Sequence, residues 1–254
     1  MSDREDTLQL KPIGYVQSPF GEKFGIPRQA GLVEAAKGRL KPVPPYDNPA
    51  AWRGIEAFSH LWLIWQFHAH GASSSLTVRP PRLGGNERLG VFATRSSFRP
   101  NPLALSLVRL DGVEIINDRI QLALGGVDLL DGTPVLDVKP YLPWADCPQG
   151  ARGGFADQRP EATLTVDWEH SLAPLLATIP EHIVKLMTQT LAQDPRPAWH
   201  DDPDRLYGMQ IAGWDLRFKV KGNQALVVEL VAASETACDR PGLNSASEQQ
   251  SSPP

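Results

Sequence analysis

Five arginines, Arg79, Arg82, Arg88, Arg95 and Arg99, lie in a stretch whose one acid is Glu87. The last two belong to TRSSFRPNP (94–102), a polar loop stiffened by two prolines. A guanidinium presents a planar fork that matches carboxylates and phosphates. A second Pro/Arg loop, GIPRQAGL (25–32), would with Arg95 and Arg99 clamp an anion. DLLDGTPVLDVKPYL (128–142) joins turn chemistry at Asp131–Pro134 to a strand. On that strand Asp137, Lys139 and Tyr141 share one face, and Leu136, Val138 and Leu142 the other. This is either a salt-bridged surface or the rim of a small-ligand site, and spacing alone favours the surface. His60, His68 and His70 lie in FSHLWLIWQFHAH (58–70), and in a strand their even spacing would put all three on one face. A His-x-His pair is half a metal site. No cysteine or acid accompanies it, so the pattern favours core or interface histidines and no metal. Ser96 and Ser97 beside Arg95 lack the Gly-x-Ser-x-Gly elbow of a nucleophilic serine.

The elements that must position these residues are short. Proline contributes 24 of 254 residues, about twice the ordinary share, which opposes long helices. Hydrophobic content of 41% and charged content of 21% fit a soluble chain able to bury a core. Two cysteines, Cys147 and Cys238, form neither a CxxC site nor a disulfide framework, and point to a reducing cytoplasm. The N-terminus lacks a signal peptide, and Leu61–Trp65, the longest apolar run, is too short to span a bilayer. The net charge of −4 argues mildly against a nucleic-acid partner. The clustered arginines argue otherwise, because a local patch is what meets phosphates.

Residues 9–149 read as many short strands with Gly/Pro turns, including LTVRP, LGVFAT, LALSLVRLDGVEI, RIQLALGGV and TPVLDVKPYL. This predicts an all-β barrel or sandwich. Residues 150–160 are a linker by composition. Residues 161–231 predict a small α+β domain. Its helices cover LAPLLATI, capped by Ser171, and a segment from Pro180 carrying Ile183, Leu186, Met187 and Leu191. A Gly-Asn hairpin then joins the alternating strand from Trp214 to ALVVELV. Residues 1–8 and 232–254 read as disordered tails. Neither a dinucleotide-binding GxGxxG nor a Walker loop occurs.

FGIPRQAGL (24–32), GIEAFSHLWLIWQFH (54–68), VRPPRLGGNERLGVFATRSSFRPNPLALSLV (78–108), GGVDLLDGTPVLDVKPYLPWAD (125–146) and AQDPRPAW (192–199) occur in this order. Together they closely resemble the TrmO-like (TsaA/YaeB) family of tRNA N6-adenosine methyltransferases. The resemblance covers residues 10–231. It implies a β-barrel methyltransferase domain unlike the Rossmann-type enzymes, and methyl transfer from S-adenosylmethionine to N6 of N6-threonylcarbamoyladenosine at position 37 of threonine tRNA. It also implies a homodimer with the cofactor near the subunit interface. The cofactor positions it implies are Pro27, Arg28, Gln29, His68, Ala69, Arg95, Leu105, Asp131, Gly132, Thr133 and Pro134. In one departure, the family's Pro-Ile-Gly after the loop asparagine is here Pro102-Leu103-Ala104, and the added methyl would narrow a close backbone approach.

On this reading Arg28 or Arg95 takes the cofactor carboxylate, the 131–134 turn takes an adenine edge or ribose, and Leu105 packs on the ring. The acceptor nitrogen carries a proton, and His68 and Asp137 are the candidate bases. Arg79, Arg82, Arg88, Arg99 and Arg196 are the candidate tRNA contacts, since single-stranded loops are read by stacking and arginine. Two alternatives are a non-catalytic barrel that binds S-adenosylmethionine or a nucleotide, and a methyltransferase with another acceptor.

Overall fold

The computed structural model describes residues 8–69, 73, 75–84, 87–197 and 202–233. Strands β1 (Gly14–Gln17), β2 (Lys37–Pro42) and β3 (His60–Gln66) are followed by two-residue strands β4 (Thr77–Val78) and β5 (Leu89–Gly90). β6 (Leu103–Ile116), β7 (Arg119–Gly125) and β8 (Thr133–Pro140) complete a closed antiparallel barrel of order β1-β2-β7-β6-β3-β8. The fold is mainly β, as the short alternating segments require.

Each barrel strand alternates between lumen and outer wall. Leu61, Leu63 and Trp65 of β3 are buried, while His60, Trp62 and Ile64 between them are half-exposed. On β6 Ser106 and Val108 point inward, and Leu103 and Leu105 outward. A bulge separates the pairs Ile64–Asp137 and Trp65–Val135, leaving Leu136 as the extra residue. Asp137 and Lys139 therefore face out, and Val135 and Val138 face in opposite Trp65 and Leu63.

Four segments differ from expectation. β3 ends at Gln66, so His68 is not on the strand and shares no strand face with His60; His70 lies outside the described residues. LGVFAT contributes only the two residues of β5, after which the chain forms a 3-10 turn over Val91–Ala93. LTVRP contributes only the two residues of β4. LAPLLATI is split into a 3-10 turn (His170–Leu172) and a single helical turn, so Ser171 caps nothing. One turn before Pro180 is too short to propagate a helix.

Beyond α1 (Pro143–Asp146), β9 (Thr165–Trp168) and α2 (Ala173–Leu176), α3 (Glu181–Ala192) follows Pro180 at its N-cap and buries Leu186, Met187, Thr190 and Leu191. It lies with a sheet of order β10-β11-β12-β9, in which β10 is Tyr207–Ile211, β11 Trp214–Lys221 and β12 Gln224–Ala232. One continuous core runs from the barrel into this second layer. The seam is the loop after β1. Ala212 N donates to Pro19 O at 2.7 Å, Gln210 N to Glu22 Oε1 at 2.7 Å, and Ala35 N to Gln189 Oε1 at 2.9 Å.

Candidate active site at the barrel mouth

The strand register brings three connections to one end of the barrel. β1 ends there opposite the start of β8, β3 ends opposite the start of β6, and β2 begins opposite the end of β7. The described residues of segments 18–36, 67–102 and 126–132 thus converge on one mouth, although the chain visits it at widely separated points.

Hydrogen bonds fasten these loops together. Arg95 Nη1 donates to Gln29 Oε1 at 2.5 Å, and Lys23 Nζ to Ala69 O at 3.0 Å. Gly31 N donates to Gly126 O at 2.8 Å. The Gly126 backbone passes so near Gly31 that a Cβ would sit 3.0 Å from its Cα, at φ +70. Asp131 Oδ1 accepts from Ser18 N at 2.8 Å, and the Asp131 amide donates to Phe20 O at 2.8 Å. Gly132, at φ +73, faces open space. Thr133 and Pro134 are buried, and Thr133 Oγ1 donates to Leu130 O at 2.6 Å. The 131–134 turn therefore offers its first two residues to solvent.

Pro27 is buried and supports the exposed Arg28. Arg95 and Leu105 are exposed, Leu105 at 46%. His68 and Ala69 are exposed just beyond β3. The sequence-derived cofactor positions are thus brought to the mouth or the wall beside it. Asp137 is elsewhere: it is paired with Lys139 at 3.1 Å and borders a crevice of about 450 Å³ with Tyr46, Arg53 and Phe58. The two candidate bases do not share a concavity, and His68 is the one at the mouth. Ala104 faces the lumen opposite Trp65 and packs on the core. Its methyl does not point into the open mouth.

The arginines divide. Arg79, Arg82 and Arg88 are exposed; Arg82 Nη2 reaches Gln158 O at 2.6 Å and Arg88 Nη1 reaches Thr77 Oγ1 at 2.9 Å. Arg99 is half-buried and turns back on its own loop, to Thr94 O at 3.3 Å and Ser96 O at 3.4 Å. Arg196 is clamped on Asp194 by two bonds of 2.8 and 2.9 Å, its side chain only 11% exposed. Its guanidinium lies over the Tyr207 ring, 6.0 Å from the centroid. Among the described residues no group of three His, Cys, Asp or Glu side chains is arranged to hold a metal.

Sequence reading missed Asp128. Its carboxyl is buried beneath the mouth, and burial pushes its pKa up to about 6 against the hydroxyl of Ser106, the backbone amides of Asp128 and Ala30, and the charge of Arg95. The available signal was a lone acid inside an apolar run, VDLL, and a lone serine at a lumen-facing position of LALSLV.

Residues 15–147 match the tRNA-methyltransferase O N-terminal domain, and residues 161–233 the TrmO C-terminal domain. A tRNA (adenine(37)-N6)-methyltransferase of Escherichia coli K12 is 44% identical over 220 residues, covering 84% of this chain and 94% of that protein. A putative S-adenosylmethionine-dependent methyltransferase of Pseudomonas aeruginosa is 47% identical over 216 residues, covering 83% and 90%. A crystal structure of TrmO from Pseudomonas aeruginosa superposes with TM-score 0.74 at 38% identity, covering 91% of this chain and all of that one. Two family domains in order, spanning the barrel and the sheet docked on it, place this chain in the tRNA-methyltransferase O family.

Proposed function

We propose that this chain, as a cytoplasmic homodimer, methylates N6 of N6-threonylcarbamoyladenosine at position 37 of threonine tRNA. The coarser activity follows from the family: an S-adenosylmethionine-dependent tRNA methyltransferase acting on N6 of adenosine 37. The observation that carries the reading is the Arg95–Gln29 bond at the centre of the convergent loops. The threonylcarbamoyl group and threonine tRNA rest on the resemblance carried by TRSSFRPNP and VDLLDGTPVLDVKPY.

The residues present suit the cofactor. Arg28 and Arg95 offer exposed guanidinium groups for a carboxylate. Gly132 leaves room for a close approach, and Leu105 offers apolar surface for a ring. Bound S-adenosylmethionine supplies an electrophilic methyl group on a sulfonium. The chain's contribution is to orient both reactants and exclude water, and orientation alone is worth several kcal/mol. His68, exposed at the mouth, is the better placed of the two candidate proton acceptors. Arg79, Arg82 and Arg88 form the exposed basic surface for tRNA phosphates.

A second copy fits the outer wall of β6 and the basic loop. Leu103, Leu105, Phe92 and Phe98 are exposed there, apolar side chains that a second copy would cover. Among the described residues no helix is long and apolar enough to cross a membrane.

The deciding experiment incubates the protein with methyl-labelled S-adenosylmethionine and tRNA from a strain lacking this activity. Label on position 37 of threonine tRNA is expected. Cofactor binding without transfer would favour a sensor, and label on another base would replace the acceptor.

A further inference from the structure

Asp128 is an acid between two fully buried apolar residues, Val127 and Leu129. Its Oδ1 is buried and, among the described residues, accepts no hydrogen bond. Folded proteins rarely keep such a group without a use for it. Few groups face it. From β6 comes Ser106, whose hydroxyl oxygen already accepts Trp65 Nε1 at 3.0 Å, so that its own proton is left to give. From the loop after β1 comes the Ala30 amide, and the charged group facing the carboxyl is Arg95. Ala30 directly follows Gln29, and Gln29 holds Arg95. The next amide along, Gly31 N, donates to Gly126 O at 2.8 Å, so the segment that carries Asp128 lies against the loop that holds the Arg95–Gln29 pair.

We propose that Asp128 is a positioning residue of the cofactor site, whose carboxylate sets the Gln29–Ala30 backbone and the Arg95 guanidinium to receive the carboxylate end of S-adenosylmethionine. The inference rests on the reading that Arg95 contacts that cofactor. Its role is electrostatic. Ionised, Asp128 adds its attraction to the hold of Gln29 on Arg95; protonated, it withdraws that part of the hold. Because burial raises its pKa to about 6, the weakening falls at mildly acidic pH.

The test measures S-adenosylmethionine affinity by calorimetry and steady-state transfer to tRNA between pH 5 and 9, in the full chain. Asp128→Asn, which keeps the shape, is expected to raise KM for S-adenosylmethionine about tenfold with kcat within about twofold, the pattern of lost ground-state binding. Wild-type affinity should fall below pH 6, and this acid limb should vanish in Asp128→Asn but persist in His68→Gln. Combining Asp128→Asn with Arg95→Ala should weaken binding no further than Arg95→Ala alone, because one acts through the other. Wild-type affinity and a retained acid limb in Asp128→Asn, or an additive double variant, overturns the proposal. If Asp128→Asn does not fold, the wild-type and His68→Gln profiles decide: a flat profile, or a limb lost in His68→Gln, overturns it. Arg95→Ala distinguishes the two levels. Unchanged affinity there defeats the cofactor assignment of Arg95, whereas a loss there with none in Asp128→Asn defeats this inference alone.

Discussion

Arg95 and Gln29 are 66 residues apart in sequence, and their side chains meet at 2.5 Å. The contact ties the basic Pro-stiffened loop to the loop after β1. Gln29 is itself held, because its Nε2 donates to Arg28 O at 2.6 Å. The guanidinium is therefore aimed by an amide that is aimed by its own backbone, which lowers the ordering cost when an anion binds.

Removing Arg95 should accordingly cost affinity rather than stability. A charge-assisted contact contributes about 1.5–3 kcal/mol, so Arg95→Ala is expected to weaken S-adenosylmethionine binding by roughly one to two orders of magnitude. The exposed position implies a melting temperature close to wild type. Titration calorimetry and a thermal melt read the two quantities separately, and a large fall in melting temperature would contradict the assignment.

Asp128 trades stability for its charge. Its folded pKa is raised to about 6 from 3.8, so the folded chain binds the proton more tightly than the unfolded one. Stability from this group is greatest below the unfolded value and falls as pH climbs from 3.8 toward 6. Above that window the full penalty applies, at most about 3 kcal/mol. Asp128→Asn is expected to melt higher than wild type at pH 7.5, with the gain shrinking toward pH 4. Denaturation at both pH values measures it.

Gly25 holds the seam between barrel and sheet. Its φ is +90, and a Cβ there would overlap Met209 Sδ on β10. Both strain and overlap oppose Gly25→Ala, so a loss of about 2–3 kcal/mol is expected. Urea denaturation quantifies it. Because the same loop carries Arg28, cofactor affinity should fall with it.

Binding to tRNA should be strongly salt-dependent. Each phosphate contact removed lowers the slope of log affinity against log salt by about 0.7–0.9. Arg79→Ala combined with Arg88→Ala is expected to reduce that slope by one to two units in a filter-binding series. Arg196→Ala should act differently. Its fork locks Asp194, which sits at φ +47, so the expected effect is a lower melting temperature. A slope change without a melting change would return Arg196 to the tRNA surface.

Much of the barrel was legible in local chemistry. LALSLVRLDGVEI, RIQLALGGV and TPVLDVKPYL, bounded by Gly, Pro and Asp, are β6, β7 and β8. Leu186, Met187 and Leu191 recur at helical spacing and are the buried face of α3. The hairpin at Gly222 and Asn223 follows from a glycine free to take φ +60. The two Pro/Arg loops and the Asp131 turn announced themselves as rigid and polar. Where expectation failed, the cause was length: nothing local shows that β3 stops at Gln66 or that one turn after Ser171 will not propagate.

What the sequence by itself determined was the long barrel strands, the β11–β12 hairpin, α3, and the polar loops with their charge, because periodicity and turn chemistry are properties of neighbouring residues. Tertiary structure alone decided which loops share a mouth. Barrel closure brings the ends of β1, β3 and β7 to one rim, so Arg95 meets Gln29 while Asp137 is left on the outer wall. It alone buried Asp128 beside Ser106, for a carboxyl's solvation depends on what the rest of the chain packs around it.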